Sequence, residues 1–271
     1  MTDWMARFHP RRLAAALDAI DRDWRSAEIA NWRALAPVLL TVAVCLLGMN
    51  YLRFYEVFQG VLEAWLGRLE ALRLLRSTWG QLLGNVWWAG VLLVGYVLIP
   101  LAVIRWVLGH RLADYGIGWH DTTRYLPWAA ALATPIVGFA FVVSFTTEFQ
   151  HTYPFYLLAG RSWLDLLAWE CVYLLQFVCL EFFFRGFLLH ALARVYGASA
   201  IFLMSLPYLM IHFTKPWPEA AGAVAFGILL GILSLRAGSI WPGAFVHMSI
   251  ALAMDGFSLW QKGQWPGSFL P

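Results

Sequence analysis

The chain has 271 residues, of which 61% are hydrophobic and 13% charged, and its mean hydropathy is +0.64. A soluble domain carries about a quarter charged residues because its surface must be hydrated, so this composition excludes a water-soluble globular protein. The net charge of +3 is small and its basic residues are scattered, which argues against a nucleic-acid-binding protein, since that requires a clustered basic surface.

Taken in chain order, residues 1–35 contain several Arg and Asp without a long apolar run, which predicts an amphipathic segment on the cytoplasmic face of a membrane. Residues 54–82 predict a second amphipathic segment. Apolar runs of the length that a bilayer requires predict about seven spans in an all-α, polytopic transmembrane helical bundle. We place the spans at 36–53, 83–107, 126–147, 164–184, 199–213, 219–236 and 239–257.

The spans divide the chain into three regions. They are the amphipathic N-terminal segment (1–35), the N-terminal membrane spans (36–163) and a C-terminal set of core spans (164–260). Lys and Arg are more frequent in the connections on the side of the N-terminus, which favours a cytoplasmic N-terminus. The compact loops and the lack of eukaryotic targeting features favour a prokaryotic inner membrane.

Ionisable residues are concentrated in the last four predicted spans, where an unpaired charge costs several kcal/mol. Glu181 and Arg185 are four residues apart, so they share one face of a helix. This spacing fits a buried ion pair that fixes helix geometry, and it also fits a carboxylate held ionised to act on water.

Two histidines and a second carboxylate complete the polar set. His212 ends the fifth span, a position that is more often hydrogen-bonded than metal-ligating. His247 and Asp255 are eight residues apart, slightly more than two helical turns, so both can line one cavity.

Together these residues fit the activation of a water molecule. A carboxylate can act as the general base, and two imidazoles can bind a metal or stabilise an oxyanion. The zinc-protease signature with two His at i and i+4 and an intervening Glu is absent, so the sequence permits a zinc ion without requiring one.

Three sequence groups resemble, in this order, the motifs of the CPBP (Abi) family of intramembrane proteases, which includes the type II CAAX prenyl endopeptidases. That pattern is Glu-Glu-x-x-x-Arg, then aromatic-x-x-x-His, then a His followed four residues later by Asn. The matching residues are Glu181 to Gly186, Tyr208 to His212, and the stretch through Gly227, Gly231 and Arg236 to Trp241 that leads to His247.

The resemblance covers roughly residues 164–257 and implies hydrolysis of a peptide bond in a membrane protein or lipidated peptide at the bilayer. It implies catalytic roles for Glu181, Arg185, His212, His247 and Asp255. It also implies that His212 and His247 would be the ligands of any divalent metal such as zinc.

Two positions depart from the family pattern. Leu180 stands where the first Glu of the motif is expected, and Ala251 stands where the Asn is expected. Glu181 can take over as base, and Asp255 can supply the missing polar group. Two alternatives stay open: a catalytically inactive relative, and a transporter or scaffold that uses the same polar cavity. The lack of an internal repeat argues against a transporter.

Overall fold

The computed structural model describes residues 10–25, 32–215 and 217–271, and within these ranges the chain is helical and contains no strand. The all-α prediction is therefore confirmed. Of the predicted amphipathic segment 1–35, the structure describes helix α1 (Pro10–Trp24) and the start of a second helix at Trp32, and residues 1–9 and 26–31 lie outside the described part.

Eleven helices occupy the described residues. They are α1, α2 (Trp32–Leu52), α3 (Tyr55–Leu66), α4 (Arg68–Leu75), α5 (Gly80–Val107), α6 (Thr122–Val143), α7 (Thr147–Thr152), α8 (Trp163–Tyr196), α9 (Ser199–Met210), α10 (Trp217–Ala237) and α11 (Trp241–Lys262). A 3-10 turn, Leu112–Tyr115, precedes α6. Helices α3 and α4 occupy the predicted second amphipathic segment.

Helix α8 changes geometry along its length. It is an α-helix over Trp163–Glu181, a π-helix over Phe182–Leu189 and an α-helix again over His190–Tyr196. In a π-helix the backbone hydrogen bonds join residues five apart, and such segments are frequent at functional sites. Here the π-helical segment begins directly after Glu181, which is a candidate site residue.

Five of the described helices are long and apolar enough to cross a membrane, namely those in α2, α5, α6, α8 and α10. Helix α9 is apolar but shorter, and α11, which carries His247, Asp255 and Lys262, is not among the five. The structure thus supports an integral membrane protein, and the count of seven spans stays a prediction.

The chain forms two compact units. Unit 1 contains the described part of Met1–Ala43, together with Pro100–Pro127 and Glu181–Gly243, and unit 2 contains Val44–Ile99, Trp128–Leu180 and Ala244–Pro271. The division of the sequence at residues 35 and 163 stays a prediction.

In unit 1, α9 and α10 pack closely because glycines face the contact. A Cβ atom on Gly227 would lie 2.7 Å from Ser205 Oγ, and one on Gly231 would lie 3.0 Å from a methyl group of Ile201. Small residues four apart allow two helix backbones to approach in this way. The spacing holds Tyr208, one turn beyond Ser205, against the middle of α10.

In unit 2, the core lies between the first part of α8 and α11. Trp169, Tyr173 and Phe177, spaced four residues apart, pack along one face of α8 with ring centroids 4.9 and 5.0 Å apart. Leu259 and Ala251 of α11 belong to the same buried cluster. Aromatic pairs at these distances contribute about 0.5–1.5 kcal/mol each beyond their burial.

Candidate active site

The predicted ion pair between Glu181 and Arg185 is present in unit 1. Arg185 Nη1 lies 3.0 Å from Glu181 Oε1, and both side chains are 0% exposed. The guanidinium carbon lies 4.1 Å from the centre of the Tyr208 ring, and Nη2 donates to the carbonyl oxygen of Phe226 at 3.5 Å. A charge pair removed from water is stable only when both partners are present, so the two residues depend on each other.

Gly243 is a residue of this site that the sequence analysis missed. A Cβ atom there would lie 2.3 Å from Glu181 Oε2, so the carboxylate fits only because residue 243 has no side chain. Gly243 belongs to the first turn of α11, where backbone N–H groups carry positive partial charge and favour an anion. The sequence signal was the Trp241-Pro242-Gly243 run, since Pro near a helix start marks this kind of turn.

His212 joins the second motif to the first. Its Nδ1 lies 2.8 Å from the carbonyl oxygen of Tyr208, and the two rings are 4.8 Å apart. A carbonyl oxygen only accepts hydrogen bonds, so Nδ1 carries the proton and Nε2 of the neutral ring carries a lone pair. Tyr208 therefore contacts both Arg185 and His212, and unit 1 brings Glu181, Arg185, Tyr208 and His212 into one connected cluster.

His247 and Asp255, the remaining predicted residues, lie in unit 2. The His247 ring stacks on Phe177 with an interplanar angle of 6° and a centroid distance of 5.5 Å. Asp255 is 0% exposed and accepts a hydrogen bond from Trp169 Nε1 at 2.7 Å. Asp255 was expected to support His247, and the structure shows this carboxylate bound to the indole of Trp169.

The two positions that depart from the family pattern are both buried. Leu180 is 6% exposed, and Ala251 is 1% exposed within the aromatic core of unit 2. Neither side chain can accept a proton or a hydrogen bond. Any water activation in this region must therefore use other residues.

A metal site receives no support from the described residues. Among them, no group of three or more His, Cys, Asp or Glu side chains could hold an ion. The Glu181 carboxylate is already held by the Arg185 cation, which disfavours a second cation beside it. The two expected ligands, His212 and His247, fall in different units.

Comparison with known proteins gives a match for the C-terminal region. Residues 161–253 match the family described as Type II CAAX prenyl endopeptidase Rce1-like. No curated protein and no solved structure matches the chain significantly. The match includes all three sequence motifs and confirms the resemblance to this family. Residues 161–253 are therefore similar to the Rce1-like type II CAAX prenyl endopeptidase family, and this similarity supports a CAAX-type intramembrane protease at the level of the family.

Proposed function

We propose that this protein is an intramembrane endopeptidase of the CAAX-processing type, which hydrolyses a peptide bond of a membrane-associated protein or lipidated peptide. The observation that carries the proposal is the cluster formed by the buried side chains of Glu181, Arg185 and Tyr208 with the half-buried His212. Two family motifs meet in this cluster, and a carboxylate, a cation and an imidazole occupy a region from which charges are normally excluded.

In this proposal Glu181 is the general base. The guanidinium of Arg185, with Nη1 3.0 Å from Oε1, holds the Glu181 carboxylate in position. Glu181 removes a proton from a water molecule while the water oxygen bonds to the carbonyl carbon of the substrate. The proton then passes to the nitrogen of the leaving amine as the C–N bond breaks, which balances the hydrolysis.

His212 is the proposed partner of Glu181. With its proton on Nδ1, its Nε2 can accept a hydrogen bond from the attacking water and orient it. His247 is proposed to orient the water, bind a metal or stabilise the oxyanion, with Asp255 as a supporting polar partner. The role of His247 rests on the third sequence motif, and that of Asp255 on its spacing from His247 and from Ala251.

We also propose an orientation and a membrane for the protein from its sequence. The distribution of Lys and Arg supports a cytoplasmic N-terminus, and the compact loops support a prokaryotic inner membrane. The family description supports prenylated or otherwise membrane-anchored proteins as the class of substrate.

A second candidate is a non-catalytic relative that keeps the fold. It is favoured by Leu180, a buried apolar residue where the family has the first Glu of its motif. In that case the Glu181–Arg185 pair would only hold α8 in place. The two candidates differ in whether any cleavage depends on Glu181.

The deciding experiment compares protein termini in membranes that contain the wild type or Glu181→Gln. We expect Glu181→Gln to lower the cleavage of substrates by roughly 10²–10⁴-fold without lowering membrane abundance, because it removes the general base. Glu70→Gln is the matched control, since Glu70 also pairs with an arginine, Arg73, at 2.6 Å but is exposed. Wild-type turnover in Glu181→Gln would contradict the mechanism, and the absence of any cleavage by the wild type would favour the non-catalytic relative.

Metal dependence is tested separately. Because the described residues offer no set of three ligands, we expect cleavage by the purified protein to persist after treatment with 1,10-phenanthroline. Loss of activity that zinc restores would show that a metal takes part, and the roles of His212 and His247 would then be those of ligands.

A further inference from the structure

Unit 1 contains a second polar site, separate from the Glu181 cluster. It is an open cavity of about 470 Å³ at the C-terminal end of α10. Its lining includes Trp24, Asp114, His120, Asp121, His190 and Arg236. The cavity exists partly because Gly116 and Gly238, both with positive φ, form its wall without a side chain.

His190 is the buried polar residue of this cavity. It is 1% exposed, and its Nδ1 lies against the carbonyl oxygen of Arg185, so Nδ1 carries the proton. Its Nε2 is buried and has no hydrogen-bond partner among the described residues. Buried polar nitrogens in native proteins are nearly always hydrogen-bonded, so this one indicates a ligand that donates a hydrogen bond.

The rest of the lining also favours a positively charged donor. The exposed residues Asp114 and Asp121 line the cavity, and Leu235 to Ala237 place the C-terminal turn of α10 beside it. Carbonyl groups at a helix C-terminus carry negative partial charge and attract cations. No group of three or more metal-ligating side chains occurs in the described residues, so the cation that fits is an organic ammonium group.

Arg236 adds the opposite charge to the same rim. Its exposed guanidinium is suited to bind a phosphate oxygen pair in a bidentate manner. A ligand that satisfies the acceptors and Arg236 together must carry an ammonium and a phosphate within one small group. His120 also lines this cavity, with φ 37° in the left-handed region that few non-glycine residues adopt.

We propose that this cavity binds a phosphoethanolamine group, with the ammonium at His190 Nε2 and the rim carboxylates and the phosphate at Arg236. The group can come from the headgroup of a membrane lipid or from the free molecule. Phosphocholine has the same charges, but its quaternary nitrogen has no N–H and cannot donate to His190. The proposal does not depend on the protease activity.

The test measures binding to the full-length protein. Calorimetric titration in detergent uses free phosphoethanolamine and free phosphocholine, and native mass spectrometry counts lipids retained from nanodiscs of phosphatidylcholine with or without phosphatidylethanolamine. We expect at least about tenfold preference for the ethanolamine form, the size expected when one charge-assisted hydrogen bond is lost. Binding of free phosphoethanolamine, of phosphatidylethanolamine or of both supports the proposal and shows whether the group comes from the free molecule or from a lipid.

Variants at the rim keep the test independent of folding. Asp121→Asn and Arg236→Gln change exposed side chains, and each should weaken binding at least about tenfold. Asp18→Asn and Arg124→Gln, also exposed but outside the cavity lining, are the matched controls and should bind as the wild type does. Equal binding of phosphocholine, unchanged binding in both rim variants, or no binding in either arm would overturn the proposal. His190→Phe, used only if its melting temperature is near that of the wild type, should abolish the ethanolamine preference.

Discussion

Each unit contains an ion pair between residues four apart, Arg161–Asp165 in unit 2 and Glu181–Arg185 in unit 1. The groups around each pair determine whether its role is structural. In unit 2, Arg161 and Asp165 are four residues apart, and Asp165 is 0% exposed. The carboxylate accepts two hydrogen bonds from Arg161 at 2.7 and 2.8 Å, one from the Tyr156 hydroxyl and one from the Ser162 hydroxyl, both at 2.6 Å. Its oxygens are occupied by donors from the loop before α8.

The same donors show that the Asp165 network is structural. Ser162 Oγ also accepts from the backbone N–H of Asp165, which makes it the N-cap of the helix. Burial, and then the hydrogen bond to Asp165, raises the pKa of the Tyr156 phenol above its usual value, so it stays a donor. Arg161 further donates to the carbonyl oxygen of Thr78. This pair fastens a loop to the start of a helix.

The Glu181–Arg185 pair in unit 1 has different surroundings. Both partners are fully buried, the cation lies on the face of an aromatic ring, and the carboxylate lies beside a glycine in a helix turn. Through Tyr208 the pair contacts a residue of a second motif, His212. Spacing in the sequence therefore predicts an ion pair, whereas the groups around the pair distinguish a structural role from a candidate catalytic one.

The largest effect on stability is expected from a substitution of Arg185. Arg185→Met should lower the free energy of unfolding by about 3–5 kcal/mol, because it leaves the buried Glu181 carboxylate without its cation. Arg73→Met is the control, since its pair with Glu70 is exposed and should contribute about 0–1 kcal/mol. Unfolding by denaturant in detergent micelles measures both. Equal losses in the two variants would mean that burial of the Glu181 pair does not determine its contribution.

A smaller effect is expected at Arg161. Arg161→Met should cost about 1.5–3 kcal/mol, because Asp165 keeps its bonds from Tyr156 and Ser162 and the arginine is partly exposed. The activity per folded molecule should not change, because the Arg161–Asp165 pair has a structural role. The same unfolding assay and a cleavage assay corrected for folded protein measure the two quantities. A strong loss of turnover without any loss of stability would contradict a purely structural role for the Arg161–Asp165 pair.

The smallest effect on stability, with the sharpest effect on activity, is expected at Gly243. Gly243→Ala puts a methyl group where the Glu181 carboxylate lies, so it should cost about 1–3 kcal/mol and displace the proposed base. Gly256→Ala in the same helix is the matched control, because a Cβ there meets nothing within 4 Å. We expect a lower kcat in the first variant alone. Unchanged kcat in Gly243→Ala would show that the position of the carboxylate is not critical.

Much of the fold could be predicted because it depends on local composition. Apolar length gave the helices that can cross a membrane, and a spacing of four gave the Glu181–Arg185 pair. The link from Tyr208 to His212 also follows a spacing of four. These features depend on residues close in sequence, and the helix periodicity determines their contacts.

The parts that could not be predicted depend on contacts distant in sequence. Gly243 is 62 positions from Glu181, and Trp169 is 86 positions from Asp255, so no local pattern connects them. The expectation that Asp255 supports His247 rested on helix periodicity and on the family pattern, and neither includes the indole of Trp169. This expectation and the metal site stay predictions, because side chains from several helices must converge to form such a site.

The π-helical segment after Glu181 determines the direction in which His190 points about the helix axis, relative to Glu181. In this wider turn a residue lies above the one five positions earlier, and His190 accordingly meets the carbonyl oxygen of Arg185. With α-helical turns of 3.6 residues over the same positions, His190 would point in a different direction relative to Glu181. The π-helical geometry of Phe182–Leu189 therefore determines which way His190 faces relative to the Glu181 cluster.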